Sequence, residues 1–126
     1  MAKVLLDTDV VIEIMRGNQV VIDNMKSLWR MGNVIFCSPV TVAEIYHSLR
    51  PKEVGKVEKF FRTAKCLPIT KEVGEKAGKY LARYHKSHSV ELGDALVAAV
   101  CFSNKTLLYT LNKKHYPMKD IGSVRI

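Results

Sequence analysis

Apolar runs and polar breaks alternate along the chain, and this pattern predicts a repeating strand–helix order. Residues 4–6 form an uninterrupted apolar run, as in a strand that is covered on both faces. From Val10 onward the apolar spacing becomes helical, and Gly17 ends this first helix. A second apolar run at residues 34–37 is followed by Ser38-Pro39, a favourable start for a helix.

The rest of the chain continues this order. Further helices are predicted over residues 19–31, 53–64, 71–84 and 90–103, with a polar break at residues 85–89. Further strands are predicted over residues 67–69, 106–110 and 123–126, and Pro68 places the strand at 67–69 at an edge. The expected fold is α/β: a central parallel sheet of four to five strands with helices on both faces, in one domain over residues 1–126.

Several side chains are expected to be buried. The helix over residues 90–103 is apolar nearly all round, which is typical of a helix inside the core. Trp29 belongs to the apolar face predicted for residues 19–31. The three cysteines, Cys37, Cys66 and Cys101, lie among apolar residues without zinc-finger spacing, so buried, reduced thiols in a cytoplasmic protein are expected.

Composition narrows the classes of partner. The chain has 126 residues, a formal net charge of +8 and a pI of about 9.5. This balance favours polyanionic partners, whether nucleic acid, an anionic membrane or an acidic protein, although a solubilising surface charge would look the same. No apolar stretch approaches the ~20 residues of a membrane span, so no membrane location is expected.

Acidic side chains recur where predicted strands end and helices begin. Asp7 follows the first strand, Glu44 lies early in the helix after the second, and Asp94 begins the buried helix. Asp9, Glu91 and Asn112 are expected neighbours. Each carboxylate alone could serve as a helix cap or lie in solvent. Gathered at one sheet edge they would repel each other, and Mg²⁺ or Mn²⁺ would relieve the repulsion because these ions prefer oxygen ligands.

An acidic pocket on a basic protein suits one class of substrate. Basic side chains around the rim would hold a phosphodiester backbone, while a divalent cation would lower the pKa of an attacking water. No histidine or cysteine lies within two residues of the three carboxylates in sequence, which argues against zinc. The pattern therefore points to a metal-dependent nuclease.

Five stretches, taken in order, carry a family resemblance: LLDTDVVIE, SPVTVAEIYHSLR, LPIT, LGDALVAAVC and LLYTLNKKHY. Together they resemble the motifs of PIN-domain ribonucleases, and most closely the VapC-type toxins of toxin–antitoxin pairs. The resemblance implies a PIN-like fold and an endoribonuclease that requires Mg²⁺ or Mn²⁺, with Asp7, Glu44 and Asp94 as catalytic and metal-binding residues. It also implies a homodimer and a small antitoxin partner that binds DNA.

Other positions match the family's pattern less closely. Asn112 stands where the family commonly has a fourth polar or acidic residue, and an amide would orient water or substrate rather than hold a second metal tightly. One or two metals therefore both stay open. Thr8 and Thr110 match hydroxyl positions near the site, with local capping as the alternative. The side chains predicted to contact the RNA backbone are Arg50, Lys52, Lys113 and Lys114.

Two other functions fit part of the sequence. The DTDVV stretch also resembles the first motif of haloacid-dehalogenase-type phosphatases, in which Asp7 would be the nucleophile. However, Gly93-Asp94 is followed by Ala95 and Leu96, without the second aspartate of that family. The other alternative is a PIN-like module that binds RNA or a protein without catalysis, for which the acidic trio would have no use.

Overall fold

The sheet has four parallel strands in a computed structural model, which describes residues 2–125. The strand order is β3-β2-β1-β4, so β1 is central and pairs with both β2 and β4. Val4 of β1 lies opposite Ile35 on one side and Leu107 on the other. The strands are β1 (Lys3–Leu6), β2 (Val34–Cys37), β3 (Lys65–Cys66) and β4 (Leu107–Tyr109).

Six α-helices connect and cover the strands within residues 2–125. Side chains cap several of their first turns, because the first amides of a helix have no partner inside the helix. Asn18, Ser38 and Thr70 accept such bonds for the second, third and fifth helices. The helices are α1 (Thr8–Met15), α2 (Gln19–Arg30), α3 (Pro39–His47), α4 (Val54–Thr63), α5 (Lys71–His88) and α6 (Leu92–Asn104).

Alternate side chains of β1 pack into two separate hydrophobic cores, one on each face of the sheet. Leu5 is fully buried with Leu108 against α5 and α6 on one face of the sheet. Val4 and Leu6 are buried on the other face, against α1, α2 and α4. Full burial of an aliphatic side chain contributes about 1.5–3 kcal/mol, so this double burial anchors β1. The predicted three-layer α/β fold is confirmed.

The carboxyl edge of the sheet is where the expected acidic residues meet. β1 leads directly into α1, and β2 leads through Ser38 into α3. Helix α6 precedes β4 and runs back along the sheet, so its first turn lies at the same edge where β4 ends. The fold thus brings together residues that are far apart in the chain.

Two strand predictions were wrong in position. The edge strand is Lys65–Cys66 rather than residues 67–69, although it is at the edge as expected. Its pairing ends with the amide of Leu67, which donates to the carbonyl of Cys37, because Pro68 has no N–H to continue the ladder. Instead of a strand over residues 123–125, the structure has a single bridge between Leu108 and Ser123, while Ile126 lies outside the described residues.

Some burial predictions were also wrong. Cys66 is exposed because its strand is at the sheet edge, while Cys37 and Cys101 are buried. Trp29 is 67% exposed because it lies one position around α2 from the buried Leu28. The predicted polar break at residues 85–89 is the last turn of α5, which ends at Ser89 in a left-handed conformation. Within residues 2–125, no helix is long and apolar enough to cross a membrane.

Candidate active site

Asp7 is the most heavily hydrogen-bonded of the predicted site residues. It follows β1 and caps α1, and its Oδ1 accepts from the amide of Thr8 at 2.8 Å. Its Oδ2 accepts from two hydroxyls, those of Thr110 and Tyr116, both at 2.9 Å. These donors come from the segment after β4, so β1 and the segment that follows β4 together fix the orientation of this carboxylate.

Asp9 lies in the first turn of α1 and faces the same segment. Its Oδ2 accepts from the amide of Leu111 at 3.1 Å. Its Oδ1 is buried and has no hydrogen-bond partner among the described residues. Burial, followed by repulsion from Asp7, raises the pKa of Asp9 to about 6. A buried carboxylate oxygen without a hydrogen bond lowers the stability of the folded protein. The hydrogen bonding of Asp9 is therefore incomplete in this structure.

Asp94 occupies the first turn of α6. Its Oδ2 accepts from the amide of Glu91 at 3.1 Å, and Glu91 is the residue that caps the helix. The same oxygen lies 3.6 Å from Nδ1 of His115, an ion pair when that imidazole is protonated. Burial raises the pKa of Asp94, and repulsion from Asp7 adds to this, while the Glu91 amide and His115 act in the opposite direction. The negative charge of Asp7 therefore contributes to the raised pKa of Asp94.

Glu44 reaches the site through a chain of hydroxyls. Its Oε1 accepts from the hydroxyl of Thr8 at 2.6 Å, and that hydroxyl lies 2.9 Å from the hydroxyl of Thr41. Because an ionised carboxylate can only accept, Thr8 donates to Glu44 and receives its own hydrogen bond from the fully buried Thr41. Gly93 lies close by: a Cβ atom there would be 3.9 Å from Oε2 of Glu44. The first turn of α6 and the middle of α3 are thus neighbours.

Tyr116, which the sequence interpretation did not single out, completes the surroundings of Asp7. Burial raises the pKa of its phenol, and the negative charges of Asp7 and Asp94 raise it further, so the hydroxyl stays protonated and donates. His115 and Thr41 were missed as well. In sequence, Tyr116 only follows a basic stretch, and nothing in its spacing distinguishes it from a core aromatic.

The remaining predicted residues form no hydrogen bond or ion pair with the carboxylates of Asp7, Glu44 or Asp94 within residues 2–125. The backbone N–H of Asn112 donates to the hydroxyl of Thr110 at 3.1 Å. The side-chain amide of Asn112 makes no hydrogen bond within residues 2–125. Asn112 lines a groove of about 570 Å³ that also includes Lys113 and Lys114, the two residues that follow it. Arg50 lies beyond the end of α3, where its Nε donates a hydrogen bond to Glu53 at 3.2 Å. Within residues 2–125 it makes no hydrogen bond to Asp7, Glu44 or Asp94. Lys52 is exposed in the turn that follows.

The chemistry of these donors fits a hard divalent cation. All are oxygens, the carboxylates repel one another, and Asp9 has an oxygen without a partner. Within residues 2–125, however, no three His, Cys, Asp or Glu side chains stand in positions that could jointly hold a metal ion. The oxygen donors are therefore of the chemical type that Mg²⁺ or Mn²⁺ prefers, but the described residues do not form a complete ligand set.

Comparisons with known proteins show which family model and which relatives the chain matches. The family model of the PIN domain matches residues 4–121. Ribonuclease VapC10 of Mycobacterium tuberculosis is 33% identical over 116 residues, which cover 91% of this chain and 86% of that protein. Ribonuclease VapC19 of the same organism is 27% identical over 115 residues, covering 90% and 92%.

Structural similarity supports the fold. The chain is similar to a chain in the crystal structure of VapBC2 from Rickettsia felis bound to a DNA fragment from its promoter. The TM-score is 0.81 at 17% sequence identity, and the match covers 97% of each chain. At this identity the similarity concerns the arrangement of strands and helices.

Proposed function

The chain belongs to the PIN-domain family, and on this premise we propose that it is an endoribonuclease that requires Mg²⁺ or Mn²⁺ and acts as the toxin of a toxin–antitoxin pair. Relatives named as ribonucleases support the reaction class. The single observation that carries the proposal is that two adjacent residues contact the two carboxylates: the Tyr116 hydroxyl donates to Asp7, and Nδ1 of His115 lies 3.6 Å from Asp94. The net charge of +8 supports a polyanionic substrate.

Asp7 and Asp94 would bind the metal directly. Glu44 would act on it through a water, because the three carboxylates do not form a joint ligand set in this structure, and Asp9 lies beside them. A bound divalent cation would lower the pKa of a water and offset the negative charge of the scissile phosphate. The protein's own contribution is orientation: Thr110 and Tyr116 hold Asp7, and Thr8 holds Glu44. Such fixed donors reduce the reorganisation needed when charge develops during the reaction.

Substrate contacts are proposed on the segment after β4. Lys113 and Lys114 follow Asn112 and are exposed, and His115 beside them reaches Asp94. Their charges would hold the phosphodiester backbone near the carboxylates, while the free amide of Asn112 would orient a water or a base. Arg50 and Lys52 would contact RNA further from the cleaved bond.

The test is cleavage of a mixed RNA substrate by the purified protein, with Mn²⁺ and with a chelator. We expect cleavage only with metal, and none by Asp7→Asn or Asp94→Asn proteins whose circular dichroism matches that of the unmodified chain. Asp23→Asn makes the same change on the exposed side of α2 and should cleave normally. Cleavage by Asp7→Asn at the normal rate would refute the proposed site.

Two further measurements on the same purified protein test the alternatives. A module that only binds RNA would shift RNA in a gel but leave it intact with either metal. A phosphatase that used Asp7 as nucleophile would be trapped by beryllofluoride, whereas the proposed nuclease forms no aspartyl-phosphate. The match to the PIN family over residues 4–121 argues against the phosphatase.

The proposed partners follow from the family and the structural neighbours. VapBC2 from Rickettsia felis was crystallised as a complex bound to promoter DNA, and we propose that this chain likewise pairs with an antitoxin that binds DNA. We also propose a homodimer that works in the cytoplasm, where RNA is available. Light scattering of the isolated protein and of a co-expressed pair would measure both assemblies; a monomer at all concentrations would refute the homodimer.

A further inference from the structure

Two of the three cysteines lie side by side at the edge of the sheet. Cys37 ends β2, and Cys66 is the last residue of β3. The two residues are direct partners in the parallel register of these strands. The third cysteine, Cys101, is buried in α6, among the residues that pack against the opposite face from Val4 and Leu6. Only the first pair is therefore placed to react together.

The spacing of this pair suits a disulfide. Neighbouring strands lie about 4.8 Å apart, and register partners point their side chains to the same face of the sheet. Disulfides usually join residues whose Cα atoms are about 4.4–6.8 Å apart, so the backbone would not have to move far. The amide of Leu67 donates to the carbonyl of Cys37 at 3.0 Å, which fixes the pairing at this point.

The two thiols differ in how easily an oxidant reaches them. Cys66 is exposed, whereas Cys37 has only 1% of its surface exposed. Burial, followed by the neighbouring Cys66 thiol, raises the pKa of Cys37 to about 12, so Cys37 is a poor first target. An exposed thiol that reacts first and a buried neighbour that then attacks it form the usual pair of a reversible redox site.

We propose that Cys37 and Cys66 form a reversible disulfide that fastens the edge strand β3 to β2 when the protein meets a hydroperoxide. This inference does not depend on the proposed ribonuclease activity. The Cys66 thiolate attacks the peroxide, the O–O bond breaks, and Cys66 becomes a sulfenic acid. The Cys37 sulfur then attacks the Cys66 sulfur, the S–S bond forms and hydroxide leaves. In total, two thiols and one hydrogen peroxide give one disulfide and two waters.

The bond would constrain a large part of the site's surroundings. It would close a loop from Cys37 to Cys66 that contains α3, with Thr41 and Glu44, and α4. β3 is only two residues long and is held to β2 by two register pairs. A disulfide there would add a covalent link to the shortest strand pairing in the sheet, and a dithiol could reduce that link again.

The test is to treat the full-length protein with a small excess of hydrogen peroxide and count thiols after denaturation. We expect a fall from three thiols to one, a Cys37–Cys66 cross-linked peptide on mapping, and full recovery with a dithiol. The melting temperature of the oxidised form should rise by roughly 10 °C, as expected for a cross-link that closes a loop of this length.

Two variants sharpen the measurement. Cys66→Ser changes only an exposed side chain, and it should keep both remaining thiols under the same treatment. Cys101→Ala should still lose two thiols and give the same cross-linked peptide. Retention of all three thiols, a cross-link that joins two molecules, or oxidation of Cys66 to sulfinic acid with Cys37 still free would each overturn the proposal.

Discussion

The phenol of Tyr116 donates a hydrogen bond of 2.9 Å to Oδ2 of Asp7, across 109 residues of chain. The hydroxyl of Thr110 donates to the same oxygen at the same distance. Asp7 is therefore held from the segment after β4 as well as by the amide of Thr8. A carboxylate fixed in this way keeps its direction when a substrate or an ion approaches.

Tyr116→Phe should lower the rate of metal-dependent RNA cleavage by about tenfold, because one hydrogen bond to a charged group is removed while the ring still packs. The change in kcat should exceed the change in KM, since the phenol does not need to touch RNA. Steady-state kinetics on a short defined RNA would measure both.

Tyr84→Phe is the matched control for this prediction. Tyr84 lies on α5 beside Tyr80 and His88, and its hydroxyl makes no hydrogen bond to the site carboxylates within residues 2–125. Removal of this hydroxyl should leave cleavage unchanged. Equal losses in the two variants would mean that the effect comes from general destabilisation rather than from the hydrogen bond to Asp7.

Asp9 should make the metal-free protein less stable as the pH rises. Its pKa is about 6 in the folded state against 3.8 for an ordinary aspartate, so folding favours the protonated form. The stability contributed by protonated Asp9 is present below about pH 4 and is lost as the pH rises through about 6.

Asp9→Asn should therefore raise the free energy of unfolding at neutral pH by about 1–2 kcal/mol and flatten its change between about pH 4 and pH 6. Urea denaturation in a chelator at several pH values would measure this. A variant that is less stable than the unmodified protein at neutral pH would contradict the prediction.

Mn²⁺ should raise the melting temperature of the protein, because an ion that binds only the folded state stabilises it by mass action. The increase should grow with Mn²⁺ concentration and should be lost in Asp94→Asn. Differential scanning calorimetry with Mn²⁺, and with Ca²⁺ for comparison, would test this without RNA. An equal increase in Asp94→Asn and in the unmodified protein would place the ion elsewhere.

Lys113 and Lys114 should supply part of the affinity for RNA. Replacing both with alanine should weaken binding and lower the slope of log affinity against log salt by roughly one for each phosphate that a lysine no longer neutralises. Lys59, exposed on α4, provides the control, and Lys59→Ala should leave the slope unchanged. Binding should be measured with Asp7→Asn protein so that the RNA stays intact.

Arg50→Ala and Lys52→Ala should have smaller effects on RNA affinity. Arg50 is bonded to Glu53, so much of its charge is offset locally. A salt slope that falls more in these variants than in the Lys113 and Lys114 variants would move the RNA path toward the end of α3. Fluorescence anisotropy with a labelled RNA at several salt concentrations would separate the two results.

Apolar patterning was sufficient to predict most of the architecture. Continuous runs such as residues 4–6 belong to buried parallel strands, and caps such as Ser38 begin helices where expected. The edge strand was misplaced because its two residues, Lys65 and Cys66, carry no apolar pattern and exist as a strand only through pairing with β2. Trp29 and Leu92 were wrongly expected to be buried, because spacing gives the side of a helix but not how far its neighbours reach.

The site was predictable only where local pattern carried the information. Asp7 and Asp94 stand at a strand exit and a helix start, which sequence can indicate. The ion pair between Asp94 and His115 depends on how the segment after β4 turns back, and no local signal reports it. The same holds for the bond from Tyr116 to Asp7.

The central position of β1 has a consequence for how the molecule is made. A ribosome synthesises β1 and Asp7 before the other strands of the sheet, and β4, Thr110 and Tyr116 emerge only after about a hundred more residues. Until then β1 lacks one neighbour, and the carboxylate of Asp7 lacks both hydroxyl donors. A nascent chain would therefore stay harmless to the messenger that encodes it until nearly the whole sheet has assembled.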